Sequence, residues 1–198
     1  MENMLIAEEL TYDKERWMTE HEMLVTQLTN EHKNVYEFVM NDIDSNGCEL
    51  YFVYGYRGIG KTFVWRTLSS KIRSRGDIVL NVASSGISLL LPGGKVTHSR
   101  FAIPLSLNED STCNTSQGNN LAELIIRSKL IIWDEAPKTM RDLSRFAIPG
   151  SAEKIFCGKT VVLGGDFRRI LPVILKEMRP IVVGATINSS YLGQIVRY

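Results

Sequence analysis

The chain has 198 residues, enough for one well-buried α/β domain with a small appendage, and its 44% hydrophobic and 23% charged composition is ordinary for a soluble globular protein. A net charge of +1 gives no global electrostatic footprint for nucleic acid, although a local groove can still be basic. Cys48, Cys113 and Cys157 are spaced too widely for a zinc site or a disulfide framework and read as reduced intracellular thiols, and no apolar run approaches the roughly 20 residues that span a bilayer.

The N-terminus, Met1 to Glu9, is acidic and reads neither as a secretory signal nor as a mitochondrial transit peptide. Residues 1–27 are charged and methionine-rich without a clean period, a lead-in that is helical or partly disordered. Within it, Met18, Met23 and Leu24 form a short apolar stripe, and His21 reads as a solvated helix residue. A helix follows, capped by Thr29 or Asn30 and burying Val35, Tyr36, Phe38, Val39 and Ile43 on one face. Asp44-Ser45-Asn46-Gly47 ends it as a turn.

Leu50–Tyr54 is an apolar strand. It leads into Gly55-Tyr56-Arg57-Gly58-Ile59-Gly60-Lys61-Thr62, spelled G-x-x-x-x-G-K-T, and then into a helix-like run from Phe63. Strand, glycine turn and helix in that order make a phosphate-binding loop. Backbone N–H groups can wrap a triphosphate only where side-chain bulk is small and positive φ is available, so glycines stand at Gly55, Gly58 and Gly60. The spacing gives Lys61 the β- and γ-phosphates of the triphosphate and gives the Thr62 hydroxyl a Mg²⁺ ion.

Ile78–Val82 is a second buried strand. It feeds Ala83-Ser84-Ser85-Gly86 and a short apolar helix through Leu91, stopped by Pro92-Gly93-Gly94. Thr97-His98-Ser99-Arg100-Phe101 reads either as hydroxyls, an imidazole and a stacking ring for a single strand, or as a loop with one buried Phe. Residues 105–120 form a long polar loop, and Leu121–Ile126 a short helix.

Lys129–Glu135 is an apolar strand ending in two carboxylates, at the edge where open α/β sheets bind ligands. Asp134 is placed to hold Mg²⁺ through water, and Glu135 to polarise an attacking water, as a hydrolase requires. Thr160–Leu163 is a further strand. Gly164-Gly165-Asp166-Phe167-Arg168-Arg169 after it reads equally as a γ-phosphate sensor or as a glycine turn with an exposed basic pair. A last strand, Ile181–Val183, and a short helix around Ser189–Gln194 complete the chain. Alternating elements with near-continuous apolar strands indicate an α/β fold, a mostly parallel sheet with helices on both faces.

Taken together, several stretches resemble the ATPase core of the Pif-type DNA helicases of superfamily one, most closely their plant branch. They are Val82-Ala83-Ser84-Ser85-Gly86-Ile87, Leu90-Leu91-Pro92-Gly93-Gly94-Lys95, Ile131-Ile132-Trp133-Asp134-Glu135-Ala136-Pro137 and Gly164-Gly165-Asp166-Phe167-Arg168. The resemblance runs from about residue 28 to the end, excepting 141–153. It implies a RecA-like P-loop NTPase domain over 28–198, with ATP on the loop and Mg²⁺ on Thr62 and Asp134. Lys61 and Glu135 would be the catalytic residues, and single-stranded DNA would lie on Ser84, Ser85, Thr97, His98, Ser99 and Phe101.

His32 aligns with the family's adenine-reading glutamine, and Arg169 stands where a glutamine is usual beside the γ-phosphate. The stretch from Ala136 to Phe156 is shorter than the family pattern. The resemblance implies ATP hydrolysis coupled to DNA unwinding in repair, recombination and telomere maintenance. It also implies a monomer without membrane contact, located in the nucleus, with the mitochondrion as second choice. The family's second RecA-like domain and its arginine finger are not in the stretch that ends at Tyr198. The alternative expectation is therefore a truncated nucleotide-binding remnant without helicase turnover, and a small-molecule kinase is a third.

Overall fold

The computed structural model describes residues 3–54, 58, 60–83, 91–96, 119–134, 159–165 and 194–197. Among them, six strands form one sheet: β1 (Leu50–Tyr54), β2 (Ile78–Ala83), β3 (Lys95–Val96), β4 (Ser128–Asp134), β5 (Thr160–Gly165) and β6 (Gln194–Arg197). Their order is β3-β2-β4-β5-β1-β6, and every pairing is parallel. Parallel strands need crossovers, and the helices that supply them cover both faces. The expected α/β architecture is present.

The side-chain alternation of β1 divides the core into two halves. Leu50 and Phe52 point to one face, packing with Leu80, Val82, Ile131, Trp133 and Leu163. Ile6 of α1 (Met4–Leu10) and Leu121 and Leu124 of α5 (Asn120–Arg127) close that half. Tyr51 and Val53 point the other way, toward Val35, Val39 and Ile43 of α3 (Asn30–Asp44) and Val64, Trp65, Leu68 and Ile72 of α4 (Lys61–Ser74). Each such fully buried side chain contributes about 1.5–3 kcal/mol relative to exposure.

Two polar residues in this core, Asn81 and Asp42, are bonded. Asn81, in the middle of β2, donates from Nδ2 to Ser69 Oγ (3.0 Å) and to the Pro92 carbonyl (2.8 Å), tying α4 to the turn before β3. Asp42 accepts from Thr160 Oγ1 (2.6 Å) and from the Glu49 amide (3.3 Å), tying α3 to the start of β5 and to the residue before β1.

Caps set where the helices begin. Thr29 caps α3, its Oγ1 accepting from the His32 amide at 3.3 Å. Asp13 caps α2 (Lys14–Val25), and Asn119 caps α5. Asn3 caps α1 and also donates from Nδ2 to the Asn120 carbonyl and to Glu123 Oε2, each at 2.9 Å, so one side chain starts one helix and pins it to another.

Residues 4–25 thus form two docked helices, α1 against α5 and α2 along α4. The face of α2 differs from the expected stripe. Leu24 is buried, but Met18 and Met23 are more than half exposed. His21 is buried instead of solvated, because its Nε2 shares a 2.8 Å hydrogen bond with Tyr36 Oη and the rings stack. In α3, Met40 and Asp42 are buried where Phe38 was expected, and Phe38 is half exposed. At the C-terminal end, Gln194 opens strand β6, paired to Tyr51, where a helix end was expected. The expected helix through Leu91 and the strand at Ile181–Val183 lie outside the described residues, save Leu91 itself. Among the described residues, no helix is long and apolar enough to cross a membrane.

The buried His21 makes stability depend on pH. Burial, and then the nearby Lys71 charge, lower its pKa from the ordinary 6.5. The folded state therefore favours neutral imidazole, and the unfolded chain takes up the proton first. The stabilisation is complete above pH 6.5 and is lost as pH falls from there through the lowered folded value. Urea midpoints should fall between pH 7.5 and pH 5, and His21→Gln should flatten that slope.

Candidate nucleotide site

The parallel register brings four strand ends to one edge. Val53 and Tyr54 of β1 lie opposite Gly164 and Gly165 of β5, Trp133 of β4 opposite Leu163, and Ala83 of β2 opposite Asp134. The loop after β1, the carboxylate closing β4 and the glycines closing β5 therefore meet at the carboxyl edge, where open α/β sheets bind ligands.

The two described glycines of the loop have the backbone its spelling demands. Gly58 has φ +92°, and Gly60, the N-cap of α4, has φ +84°, a conformation that L side chains rarely adopt. The Gly60 carbonyl accepts the first helical bonds, from the amides of Phe63 (2.9 Å) and Val64 (3.2 Å). Lys61 and Thr62 occupy the opening turn, half-buried at the edge. No acidic residue lies in that turn, so the helix supplies its positive end to the edge without a carboxylate of its own first turn.

Asp134 ends β4 and is 6% exposed. Its carboxylate rests on the bare face of Gly164: a Cβ there would lie 2.6 Å from Asp134 Oδ1 and 3.0 Å from Trp65 Cζ2. A buried carboxylate and a Thr hydroxyl at one sheet edge make a hard-oxygen donor set, which suits Mg²⁺. Gly164 and Gly165 belong to β5 itself, so the turn reading of these glycines does not hold.

His32 comes to the loop from α3. A Cβ on Gly60 would lie 2.8 Å from His32 Cε1 and 3.0 Å from Nε2. Its ring centre is 6.3 Å from that of Phe63. The structure thus brings Gly58, Gly60, Lys61, Thr62, His32 and Asp134 to one edge. Gly55, Ser84, Ser85, Thr97, His98, Ser99, Phe101, Glu135 and Arg169 lie outside the described residues.

At this edge Trp65 was not expected, and Gly164, within the segment read as a γ-phosphate sensor or a glycine turn, was not itself assigned a role. Trp65 stands four residues after Lys61, one helical turn on, and that spacing is the signal that marks it. Gly164 carries no such mark, since only the packing shows what its missing side chain makes room for.

A family model described as PIF1-like helicase matches residues 27–198. The chain belongs to the PIF1-like helicase family. It is 29% identical over 137 residues to the ATP-dependent DNA helicase Pif1 of Campylobacter jejuni, covering 65% of this chain and 30% of that protein. It is 26% identical over 131 residues to the ATP-dependent DNA helicase PIF4 of Trypanosoma brucei brucei, covering 61% of this chain and 16% of that protein. The chain therefore spans less than a third of these relatives.

Among solved structures, Bacteroides Pif1 bound to single-stranded DNA superposes with a TM-score of 0.58 at 22% identity, over 86% of this chain and 42% of that one. A structure of two coordinating Pif1 helicases at forked double-stranded DNA gives 0.61 at 24% identity, over 86% and 43%. These likenesses establish the RecA-like fold of the PIF1-like core.

Proposed function

We propose that the chain is the ATP-binding and ATP-hydrolysing core of an ATP-dependent DNA helicase. The observation that carries this reading is that Gly60, with φ +84° at the N-cap of α4, and the buried Asp134 carboxylate that ends β4 stand at the same edge of the sheet. In this reading the loop amides and Lys61 hold the β- and γ-phosphates, and Thr62 and Asp134 hold Mg²⁺. Bound there, the ion would neutralise charge on the phosphates. Glu135, the next residue after Asp134, would take the proton of the attacking water.

His32 supplies an aromatic face and ring nitrogens beside the loop, in the position that the resemblance gives to the base reader. Arg169 would stand beside the γ-phosphate. β2 ends at Ala83 and β3 at Val96. The chain therefore leaves the sheet at the nucleotide edge just before Ser84 and just before Thr97. That placement supports single-stranded DNA contacts by Ser84, Ser85, Thr97, His98, Ser99 and Phe101. The family resemblance supports a monomer acting in DNA repair, recombination and telomere maintenance, in the nucleus.

Phosphate release by the 198-residue chain, measured with and without a single-stranded oligonucleotide, tests this reading, with Lys61→Ala as control. Lys61-dependent turnover that rises with the oligonucleotide is expected. Turnover that needs a small hydroxyl acceptor instead would replace the helicase reading with a kinase.

A further inference from the structure

We propose that Trp65 and Gly164 form the seat that orients the Asp134 carboxylate toward the metal–nucleotide complex. The inference rests on the nucleotide reading above and names two residues that act through Asp134. Trp65 is a positioning residue, and Gly164 provides the clearance.

Three observations converge. Trp65 is fully buried on α4, one turn from Lys61, so the helix that starts at the phosphate loop carries the indole into the sheet edge. The same point in space, the absent Gly164 Cβ, is 2.6 Å from Asp134 Oδ1, 3.0 Å from Trp65 Cζ2 and 3.4 Å from Trp65 Nε1. The carboxylate therefore occupies room that any other residue at position 164 would fill, with the indole as its wall. Finally, Trp65 Nε1 is buried and finds no acceptor among the described residues.

An indole N–H is a donor only, and leaving it unmet inside a protein costs about 1–3 kcal/mol. Such a group calls for a reason. Here it lies beside the carboxylate that would face the ion. A small turn of that carboxylate, or one bridging water, satisfies the donor and fixes the direction of the oxygens. Partners behind a metal-binding carboxylate set its orientation, and removing them typically lowers metal affinity about 10–100-fold.

The two variants separate the parts of the seat. Gly164→Ala places a methyl group against Asp134 Oδ1. Trp65→Phe keeps an aromatic ring in the core and removes the N–H. The readout is the Mg²⁺ concentration that half-saturates binding of a fluorescent ATP analogue, mant-ATP, to the full chain. Affinity for the same probe in EDTA and the thermal midpoint are recorded alongside.

Both variants should raise the half-saturating Mg²⁺ concentration about tenfold or more, with affinity in EDTA unchanged. A folded variant whose Mg²⁺ requirement is unchanged overturns the inference. So does one whose affinity falls equally with and without Mg²⁺, because that is the signature of simple core packing. If Gly164→Ala does not fold, Trp65→Phe decides the matter by the same criteria. A wild-type chain that binds no mant-ATP overturns the nucleotide reading itself, a result distinct from any of these.

Discussion

Arg73→Met should destabilise the fold by about 3–5 kcal/mol, because it breaks a buried ion pair. The Arg73 side chain is 1% exposed and that of Glu9 2%, and the two charges lie 3.6 Å apart. The guanidinium also sits over two rings, 4.1 Å from the centre of Tyr12 and 5.2 Å from that of Trp17. Gly93 closes over this cluster with φ +60°, and a Cβ there would come within 2.6 Å of Tyr12 Oη.

One arginine of the phosphate-loop helix thus holds α1, the start of α2 and the turn before β3. Its loss removes the 3.6 Å ion pair with the buried Glu9 carboxylate and two cation–π contacts, each worth up to about 2 kcal/mol when desolvated. A domain of this kind has about 5–15 kcal/mol in total, so the loss is a large share. Urea denaturation checks it. Replacing both partners, Arg73→Met with Glu9→Leu, should recover most of the stability, since an apolar pair avoids the desolvation cost. A single variant as stable as wild type would contradict this role for Arg73.

The second large effect belongs to the site. Gly60→Val should weaken ATP binding at least thirtyfold while leaving the sheet folded. A β-branched residue at φ +84° is strained by about 1–3 kcal/mol. Its Cβ would also stand 2.8 Å from His32 Cε1, and overpacking of that kind costs roughly 1–3 kcal/mol more. The chain can relieve both only by opening the loop, so the cost falls on ATP affinity, where about 1.4 kcal/mol is a factor of ten. Equilibrium titration with mant-ATP measures it. Adding His32→Ala removes the steric part and should restore some of the affinity.

Much of this was legible in the sequence because it is written in local backbone rules. Leu50–Tyr54 has the expected strand bounds, Thr29 is the cap, and positive φ occurs at Gly58 and Gly60 within the loop's spelling. Asp134 closes its strand and is buried at the edge that parallel topology predicts. Each of these depends on neighbours in the chain.

What was illegible depends on neighbours in space. The period of residues 1–27 is poor because their docking uses a buried ion pair, stacked rings and a histidine–tyrosine bond, and hydrophobic periodicity detects none of these. His21 and Arg73 are the kind of residue that sequence patterns assign to solvent. Phe38 misled for the opposite reason, since an aromatic near the right phase of α3 still lands outside the stripe that faces β1. Gly164, for which a turn was only one of two readings, is a strand residue whose missing side chain is its contribution.

The central claim is that the edge where α4 begins holds Mg·ATP. Calorimetric titration of ATP into the folded chain, in Mg²⁺, tests it most directly. Saturable binding at one site, lost in Lys61→Ala at unchanged thermal stability, is expected. A folded wild-type chain that shows no saturable binding, or binding that Lys61→Ala leaves intact, would contradict it.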